Sequence, residues 1–427
     1  MSRVSTARYV RRDRDFEVWR KGSNAGMSPE LEMLVLCARV LLSTSEVSDL
    51  RSAARKRLRW DFVEQYAQNH ALRPVVAHVL TLHSKELIPQ STFDRLRERL
   101  VQNAQENLVW LREWMRLLAA FAEAGIEVIS FKGPALALTA YRNLSLREFT
   151  DLDLLVRPSE VAMAREVLTG HGYTLDSPVA DHTTAGLIRS KNQQISFVKE
   201  QERGLQVDLH WGLSSDTVST LLNLDQFFAS SIVETEGEVS FRSLAPEHLL
   251  LLLCVHGTKH CWSNLRWLCD LAWHIQSTPT LNWNECFQLA RPSGTELMLA
   301  HSLLLCRDVL GVSLLDVIEE YSDKHRAASL LASQARDFLF RENTDDSRYI
   351  DDRTRYREVL RYRLGFQTSW RWMHAANMLL RRAFVPNEAD WAWLRLPPAL
   401  YFLYYPMRPV RLVSQRLRTR RHQADSR

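Results

Sequence analysis

The sequence lacks an apolar segment long enough to cross a membrane. Its longest uncharged stretch near the C-terminus, 396–407, has twelve residues, whereas a membrane-spanning helix needs about 20. The arginine-rich N-terminus contains no apolar run of the kind found in secretory signals. Internal repeats and low-complexity tracts are missing as well. We therefore expect a cytoplasmic protein with two or three ordinary globular units.

Cysteine is also scarce, with six residues in a chain of 427. Disulfide frameworks are typical of short secreted domains with a much higher cysteine content. The six are Cys37, Cys254, Cys261, Cys269, Cys286 and Cys306. Most of them lie in apolar stretches with helical periodicity, which predicts buried, reduced thiols.

Positive charge is concentrated at one end of the chain. The formal net charge is +5, and segment 406–427 contributes +6 through seven arginines and one aspartate, so the remainder carries −1. A nearly neutral body lacks the broad basic surface that nucleic-acid binding needs. Nucleic acid is therefore an unlikely partner.

The hydrophobic pattern divides the chain into two helical regions around a small α/β unit. Residues 27–125 have helical periodicity, 126–245 contain short β-branched strands, and 246–396 return to helical periodicity. The polar segment 1–26 is expected to be disordered. The final segment, 397–427, is rich in aromatic residues and arginine. The predicted fold class is α+β, with a small mixed β-sheet core flanked by N- and C-terminal helical regions.

Several elements have recognisable start and stop signals. Ser28-Pro29-Glu30 is a good helix start, and a long amphipathic helix is expected from about Ser91 to Ala124, with Gly125 ending it. Ser159 is a plausible N-cap for a later helix. Four strands are predicted, at 126–131, 151–156, 194–198 and 205–209, and the last two are expected to pair around a turn at 201–204.

Three aspartates are expected to converge at one edge of this sheet. Asp151 and Asp153 are two residues apart on a strand, so their side chains point to the same face. Adjacent like charges repel unless a cation joins them, and hard divalent cations prefer oxygen ligands. Asp208, in the apolar strand 205–209, can bring a third carboxylate. We therefore predict that Asp151, Asp153 and Asp208 are the catalytic residues and bind two Mg²⁺ ions, as in other phosphoryl-displacement sites.

A Lys132-Gly133 turn between a strand and a helix is predicted to bind nucleotide. Glycine lets a phosphate approach backbone N–H groups, the helix N-terminus adds partial positive charge, and lysine supplies a full charge. Arg147 precedes Asp151 by four residues. It could bind phosphate bidentately or form an ion pair with an aspartate, and both alternatives remain open.

Three histidines are candidates for the acceptor side of the site. His210 shares a strand face with Asp208, and it could contact the acceptor, act as a base or be structural. His256 and His260 are four residues apart on a predicted helix and therefore share one face.

The same helical stretch raises a zinc alternative through Cys254 and Cys261. The two cysteines would not both face the side of His256 and His260, and the spacing matches no standard zinc site. The tryptophans of this stretch are expected to belong to the core rather than to a base-stacking platform. They are Trp262, Trp267 and Trp273.

The order of these features resembles the DNA polymerase β-like nucleotidyltransferase superfamily. Its minimal pattern is a glycine turn after the first strand, a pair of acids separated by one apolar residue, and a later acid in a further strand. More closely, the sequence resembles a bacterial family of uncharacterised nucleotidyltransferases over about 30–415. The residues that carry this likeness are 131–136, Tyr141, Arg147, 150–156, 207–211, and 251–270 with His256, His260 and Leu265.

The resemblance implies a magnesium-dependent enzyme that moves an NMP group, AMP from ATP in the first instance, onto an acceptor hydroxyl or phosphate. The acceptor is unknown and would be a small molecule, sugar, peptide or protein. The superfamily usually has Gly-Ser or Gly-Gly at the turn, whereas Pro134 follows Gly133 here and removes one N–H. The alternative is therefore a catalytically inactive nucleotide-binding or scaffold protein of a biosynthetic complex.

The C-terminal tail suggests a second kind of partner. Aromatic residues followed by arginines can lie on an anionic membrane surface, which would make the protein membrane-peripheral. The other interpretation is a docked aromatic segment with a solvated basic end. The residues concerned are Tyr401, Phe402, Tyr404, Tyr405, Arg408, Arg411, Arg416, Arg418, Arg420 and Arg421.

Overall fold

The computed structural model describes the main helical regions and the sheet. The described residues are 27–176, 193–200, 204–212, 224–314 without 238 and 294, 326–340, and parts of 383–414. The predictions for 1–26, for the turn at 201–203 and for the arginines beyond 414 lie outside the described residues.

In the described part of the chain before the sheet, 27–128, there are five helices, and the predicted start at Ser28 and stop at Gly125 are both present. The helices are α1 (Pro29–Leu42), α2 (Val47–Ala54), α3 (Trp60–Asn69), α4 (Arg73–His83) and α5 (Gln90–Glu123). The Ser28 hydroxyl accepts a hydrogen bond from the Leu31 N–H at 3.3 Å, which caps α1. Helix α5 runs for 34 residues and ends before Gly125, whose φ of +70° only glycine adopts readily.

The α/β unit contains a mixed sheet, which confirms the predicted fold class. Its elements are β1 (Ile129–Ser130), α6 (Pro134–Thr139), β2 (Asp151–Leu155), α7 (Val161–Gly170), β3 (Thr174–Leu175), β4 (Gln194–Lys199), β5 (Leu205–His210), α8 (Leu224–Ala229), β6 (Ile232–Glu236) and β7 (Val239–Ser243). The sheet order is β1-β2-β5-β4-β3, with β2 and β5 parallel and the other neighbours antiparallel. Strands β6 and β7 form a separate hairpin, which the sequence analysis missed.

Two local predictions differ from the structure. Strand β1 is only Ile129–Ser130, shorter than the predicted 126–131. The residues before it belong to the exit from α5, because the Ile126 N–H donates to the Phe121 carbonyl of that helix at 2.9 Å. Ser159 is not an N-cap. It lies inside a short 3₁₀ turn in which the Glu160 carboxylate accepts from the Arg157 N–H at 3.1 Å.

The sheet has one apolar face and one polar face. Alternate residues of β2, β4 and β5 form a core with α5, in which Trp114, Leu117 and Phe121 are fully buried. The sheet residues of this core include Leu152, Leu154, Phe197, Val207 and Leu209. Because strand side chains alternate, the intervening polar residues must all point to the opposite face.

The helices after the sheet pack onto the helices before it. They are α9 (Pro246–Lys259), α10 (Leu265–Ser277), α11 (Trp283–Ala290), α12 (Glu296–Leu310) and α13 (Arg326–Leu339). Together with α1–α4 they enclose one larger core, and the Arg39 guanidinium donates to the Val309 carbonyl at 2.8 Å between α1 and α12. All six cysteines are buried free thiols, as predicted.

The described part of the tail is docked on the residues just before it. Tyr404 is buried and donates to the Leu394 carbonyl at 2.6 Å, and Arg408 and Arg411 both pair with Asp390. This arrangement agrees with the docked-segment interpretation for residues up to 412. Among the described helices, none has the length and apolar character that a membrane crossing requires.

Candidate functional site

The polar face of the sheet collects the acidic residues because β2 and β5 run parallel and in register. Asp153 lies directly opposite Asp208, and Asp151 lies opposite Gln206. Residues two apart on each strand share a face, so His210 lies beside Asp208 on this same face. The strand pairing thus brings together two segments that are more than 50 residues apart in the sequence.

Asp153, Asp208 and His210 form a compact group of metal-ligating side chains. One ligand atom from each lies within 4.8 Å of the others, and all three residues are at most 9% exposed. Within the described ranges no other three His, Cys, Asp or Glu side chains meet in this way. Asp151 stands outside the group. The residues of the zinc alternative, Cys254, His256, His260 and Cys261, are described and do not form such a group, so the structure gives that alternative no support.

Asp153 is the most strongly supported acid of the site. Its Oδ1 lies 3.0 Å from His210 Nε2 and 3.7 Å from Lys132 Nζ. Burial alone would raise the pKa of Asp153, but the Lys132 charge and the hydrogen bond from His210 outweigh it and hold the pKa below its usual range. Asp153 is therefore ionised at neutral pH.

Asp151 shows the opposite electrostatic behaviour. Burial raises its pKa to about 6, with the charges of Asp153 and Asp208 adding to the rise and Lys132 opposing it. Arg147 also opposes the rise, but the charges of Asp153 and Asp208 still add repulsion to the effect of burial on this pKa. A divalent cation at this edge would relieve the repulsion.

Asp208 is fixed by three polar neighbours that the sequence analysis did not identify. The Ser196 hydroxyl and the Gln206 amide donate to its Oδ1 at 2.7 and 3.0 Å, and the Gln194 amide reaches its Oδ2 at 3.5 Å. Gln194 and Ser196 alternate with apolar residues on β4, and this pattern could have indicated a shared polar face. These donors fix the orientation of the Asp208 carboxylate.

Gly133 has a backbone conformation that other residues avoid. Its φ is +55° and its ψ is −130°, and an added Cβ would lie 3.1 Å from the Asp151 carbonyl. The turn therefore packs directly against the strand that begins with Asp151. Lys132, just before the turn, is 14% exposed at its side chain and points to Asp153.

Replacing Gly133 with alanine should lower the free energy of unfolding by about 1–3 kcal/mol, because it adds backbone strain and a close contact. Urea unfolding measures this loss. Gly170→Ala is the matched control, since Gly170 ends α7 with nothing within 4 Å of an added Cβ. Equal stability of the two variants would contradict the prediction.

His256 lies in the last turn of α9, and His260 directly follows the last residue of that helix. His256 Nδ1 is 3.2 Å from Lys132 Nζ, and the His256 ring is 4.7 Å from the His260 ring. Burial, and then Lys132 and further basic neighbours, lower the pKa of His256 well below its usual value. Trp267 contacts both rings, at 5.5 and 4.9 Å.

All three tryptophans belong to or pack against the helical core, as expected. Trp262 and Trp273 are buried, whereas Trp267 is partly exposed against the two histidines. Trp267 therefore belongs to the surroundings of the site.

Arg147 has a structural partner. Its Nε and Nη2 donate to the two carboxylate oxygens of Asp270 at 2.9 and 3.0 Å, and Tyr141 donates to Asp270 Oδ1 at 2.6 Å. All three residues are at most 8% exposed. Of the two alternatives for Arg147, the structure favours the ion pair with an aspartate over nucleotide binding. The pair ties the loop before Asp151 to α10.

Comparison with known proteins agrees with these features. The family model described as uncharacterised nucleotidyltransferase matches residues 56–311, which is more than half of the chain and includes every site residue described above. The chain therefore belongs to this family, whose description indicates transferase activity. No curated protein matches the sequence.

Proposed function

We propose that this member of the family transfers an NMP group from an NTP, ATP in the first instance, to an acceptor hydroxyl or phosphate and releases pyrophosphate. The observation that carries the proposal is the acidic edge of two parallel strands, where Asp153 pairs in register with Asp208 and Lys132 lies beside them. The order of turn, paired acids and later acid supports a place in the DNA polymerase β-like superfamily.

The residues at this edge fit divalent cations. Asp151, Asp153 and Asp208 offer carboxylate oxygens, which Mg²⁺ prefers, and after burial the charges of Asp153 and Asp208 contribute to the raised pKa of Asp151. Mn²⁺ accepts the same oxygen ligands. His210 belongs to the same group, and its Nε2, which donates to Asp153, orients that carboxylate. Bound Mg²⁺ would neutralise charge on the transferring phosphoryl group and on the leaving pyrophosphate.

The protein's own groups have distinct roles in this proposal. Lys132, just before the Gly133 turn, donates to a phosphate oxygen. Asp208, held by Ser196, accepts the proton of an acceptor hydroxyl. The acceptor oxygen then forms its bond to the α-phosphorus as the bond to the β-phosphate oxygen breaks.

Calorimetric titration of ATP with Mg²⁺ or Mn²⁺ tests the site directly. The wild type should bind ATP in a metal-dependent manner, and Asp151→Asn/Asp153→Asn should weaken binding by about 100-fold or more, since two charge-assisted contacts are lost. The matched control is Asp61→Asn, at a side chain that is 92% exposed.

Two results would overturn the proposal. One is a wild type that binds no NTP under either metal. The other is ATP binding that the double variant retains at wild-type strength. Metal-dependent binding lost only in the double variant would support it and justify a search for the acceptor.

A further inference from the structure

A second group of side chains meets Lys132 from the helical region. It is formed where α9 ends and α10 begins, and we call it the α9–α10 cluster. Its members are His256, Lys259, His260, Arg266 and Trp267. Lys132 joins this cluster to the acidic edge, because its Nζ lies 3.2 Å from His256 Nδ1 and 3.7 Å from Asp153 Oδ1.

The cluster is cationic, in contrast to the acidic edge. After burial, the groups that lower the pKa of His256 are Lys132, His260, Lys259 and Arg266, so all four lie close to this imidazole. His256 is therefore neutral, and its Nδ1 can accept a hydrogen bond from the Lys132 ammonium. The acidic edge suits the metal cations of a metal-bound polyphosphate, and the cationic α9–α10 cluster suits its phosphate oxygens.

Arg266 has donor capacity left for a ligand. Its Nη1 donates to the Glu148 carbonyl at 2.7 Å, three residues before Asp151, so the side chain is oriented next to the site. Its Nε is buried without a hydrogen-bond partner among the described residues, and protein atoms cover it. A guanidinium has five N–H donors, and the bond to Glu148 uses one of them, so the terminal N–H groups retain capacity to donate to a phosphate oxygen.

The turn itself is a poor cradle for a triphosphate. Helix α6 has only six residues, and Pro134 at its first position has no N–H to offer. The donors for the terminal phosphates must therefore come from elsewhere. The α9–α10 cluster is adjacent and has the right charge.

We propose that the α9–α10 cluster binds the β- and γ-phosphates of the NTP, and hence the pyrophosphate that leaves. Lys132 and Arg266 contact the phosphate oxygens, and His256 is a positioning residue that holds the Lys132 ammonium. This inference rests on the proposed function and specifies which residues bind the leaving group. It moves His256 and His260 from the acceptor side, where the sequence analysis expected them, to the pyrophosphate side.

Titration of three probes into the full-length protein with Mg²⁺ tests the inference. The probes are ATP, inorganic pyrophosphate and AMP, which lacks the β- and γ-phosphates. In Arg266→Gln, affinity for ATP and pyrophosphate should fall about tenfold or more, whereas affinity for AMP should stay within about twofold. Arg291→Gln is the matched control, with the same charge change at a side chain that is 74% exposed.

Wild-type affinity of Arg266→Gln for ATP and pyrophosphate would overturn the inference. An equal loss for AMP would overturn it too, because it would indicate a general structural effect. If thermal melting shows that Arg266→Gln does not fold, Lys132→Met is measured against the same three probes and the same criteria. A wild type that binds no ATP refutes the proposed function itself, whereas metal-dependent ATP binding unchanged in Arg266→Gln refutes only this inference.

Discussion

Replacing Asp270 with alanine should reduce the free energy of unfolding by about 3–5 kcal/mol, because it leaves the Arg147 guanidinium buried without its counterion. Arg147 is 4% exposed, and Asp270 accepts both of the guanidinium hydrogen bonds described above as well as the one from Tyr141. Urea unfolding followed by circular dichroism measures the loss. Tyr141→Phe removes one hydrogen bond only and should cost about 1 kcal/mol.

The comparison of single and double variants separates the ion pair from general damage to the core. Arg147→Met/Asp270→Leu removes both charges, so it should be more stable than Asp270→Ala. Asp337→Ala, at a side chain that is 68% exposed, is the control for loss of a surface aspartate. If Asp270→Ala lost no more stability than Asp337→Ala, the pair would not hold the loop.

The second large effect is expected at Asp208. Asp208→Asn should lower the rate of pyrophosphate release from ATP by about 100-fold or more, since the variant lacks the base that takes the acceptor proton. Pyrophosphate is measured with Mg²⁺ and a panel of hydroxyl and phosphate acceptors. Ser196→Ala keeps the carboxylate and loses one donor to it, so its rate should fall by about tenfold at most.

The wild-type result distinguishes the enzyme from its rival. ATP binding without pyrophosphate release, across the whole acceptor panel, would favour the inactive nucleotide-binding or scaffold protein that Pro134 also suggests. If Asp208→Asn released pyrophosphate at the wild-type rate, another group would have to take the acceptor proton. Release that falls with Asp208→Asn, while ATP binding persists, would support the role proposed for this carboxylate.

Local patterns in the sequence were sufficient for the main elements and for the acidic edge. The long run of helical periodicity with a terminal glycine predicted α5, and the period of two predicted that Asp151 and Asp153 share a face. Pairing of 194–198 with 205–209 followed from their short separation. Each of these predictions depends on residues that are close in the sequence, where backbone geometry dictates what is adjacent.

Contacts between residues that are distant in the sequence could not be predicted from its patterns. Arg147 and Asp270 are 123 residues apart, and Lys132 and His256 are 124 apart. A single sequence carries no periodic signal for such pairs.

The large helical core also has a consequence for synthesis on the ribosome. Arg39 of α1 contacts Val309 of α12, 270 residues later in the chain. At a synthesis rate of about 5–20 residues per second, roughly 15–50 s pass between the synthesis of α1 and that of its packing partner α12. The core behind the sheet lies between Trp114 and Phe241, so it can form earlier. During that interval the faces of α1 that pack on α10 and α12 in the folded protein remain uncovered. Chaperone binding would protect these faces from aggregation.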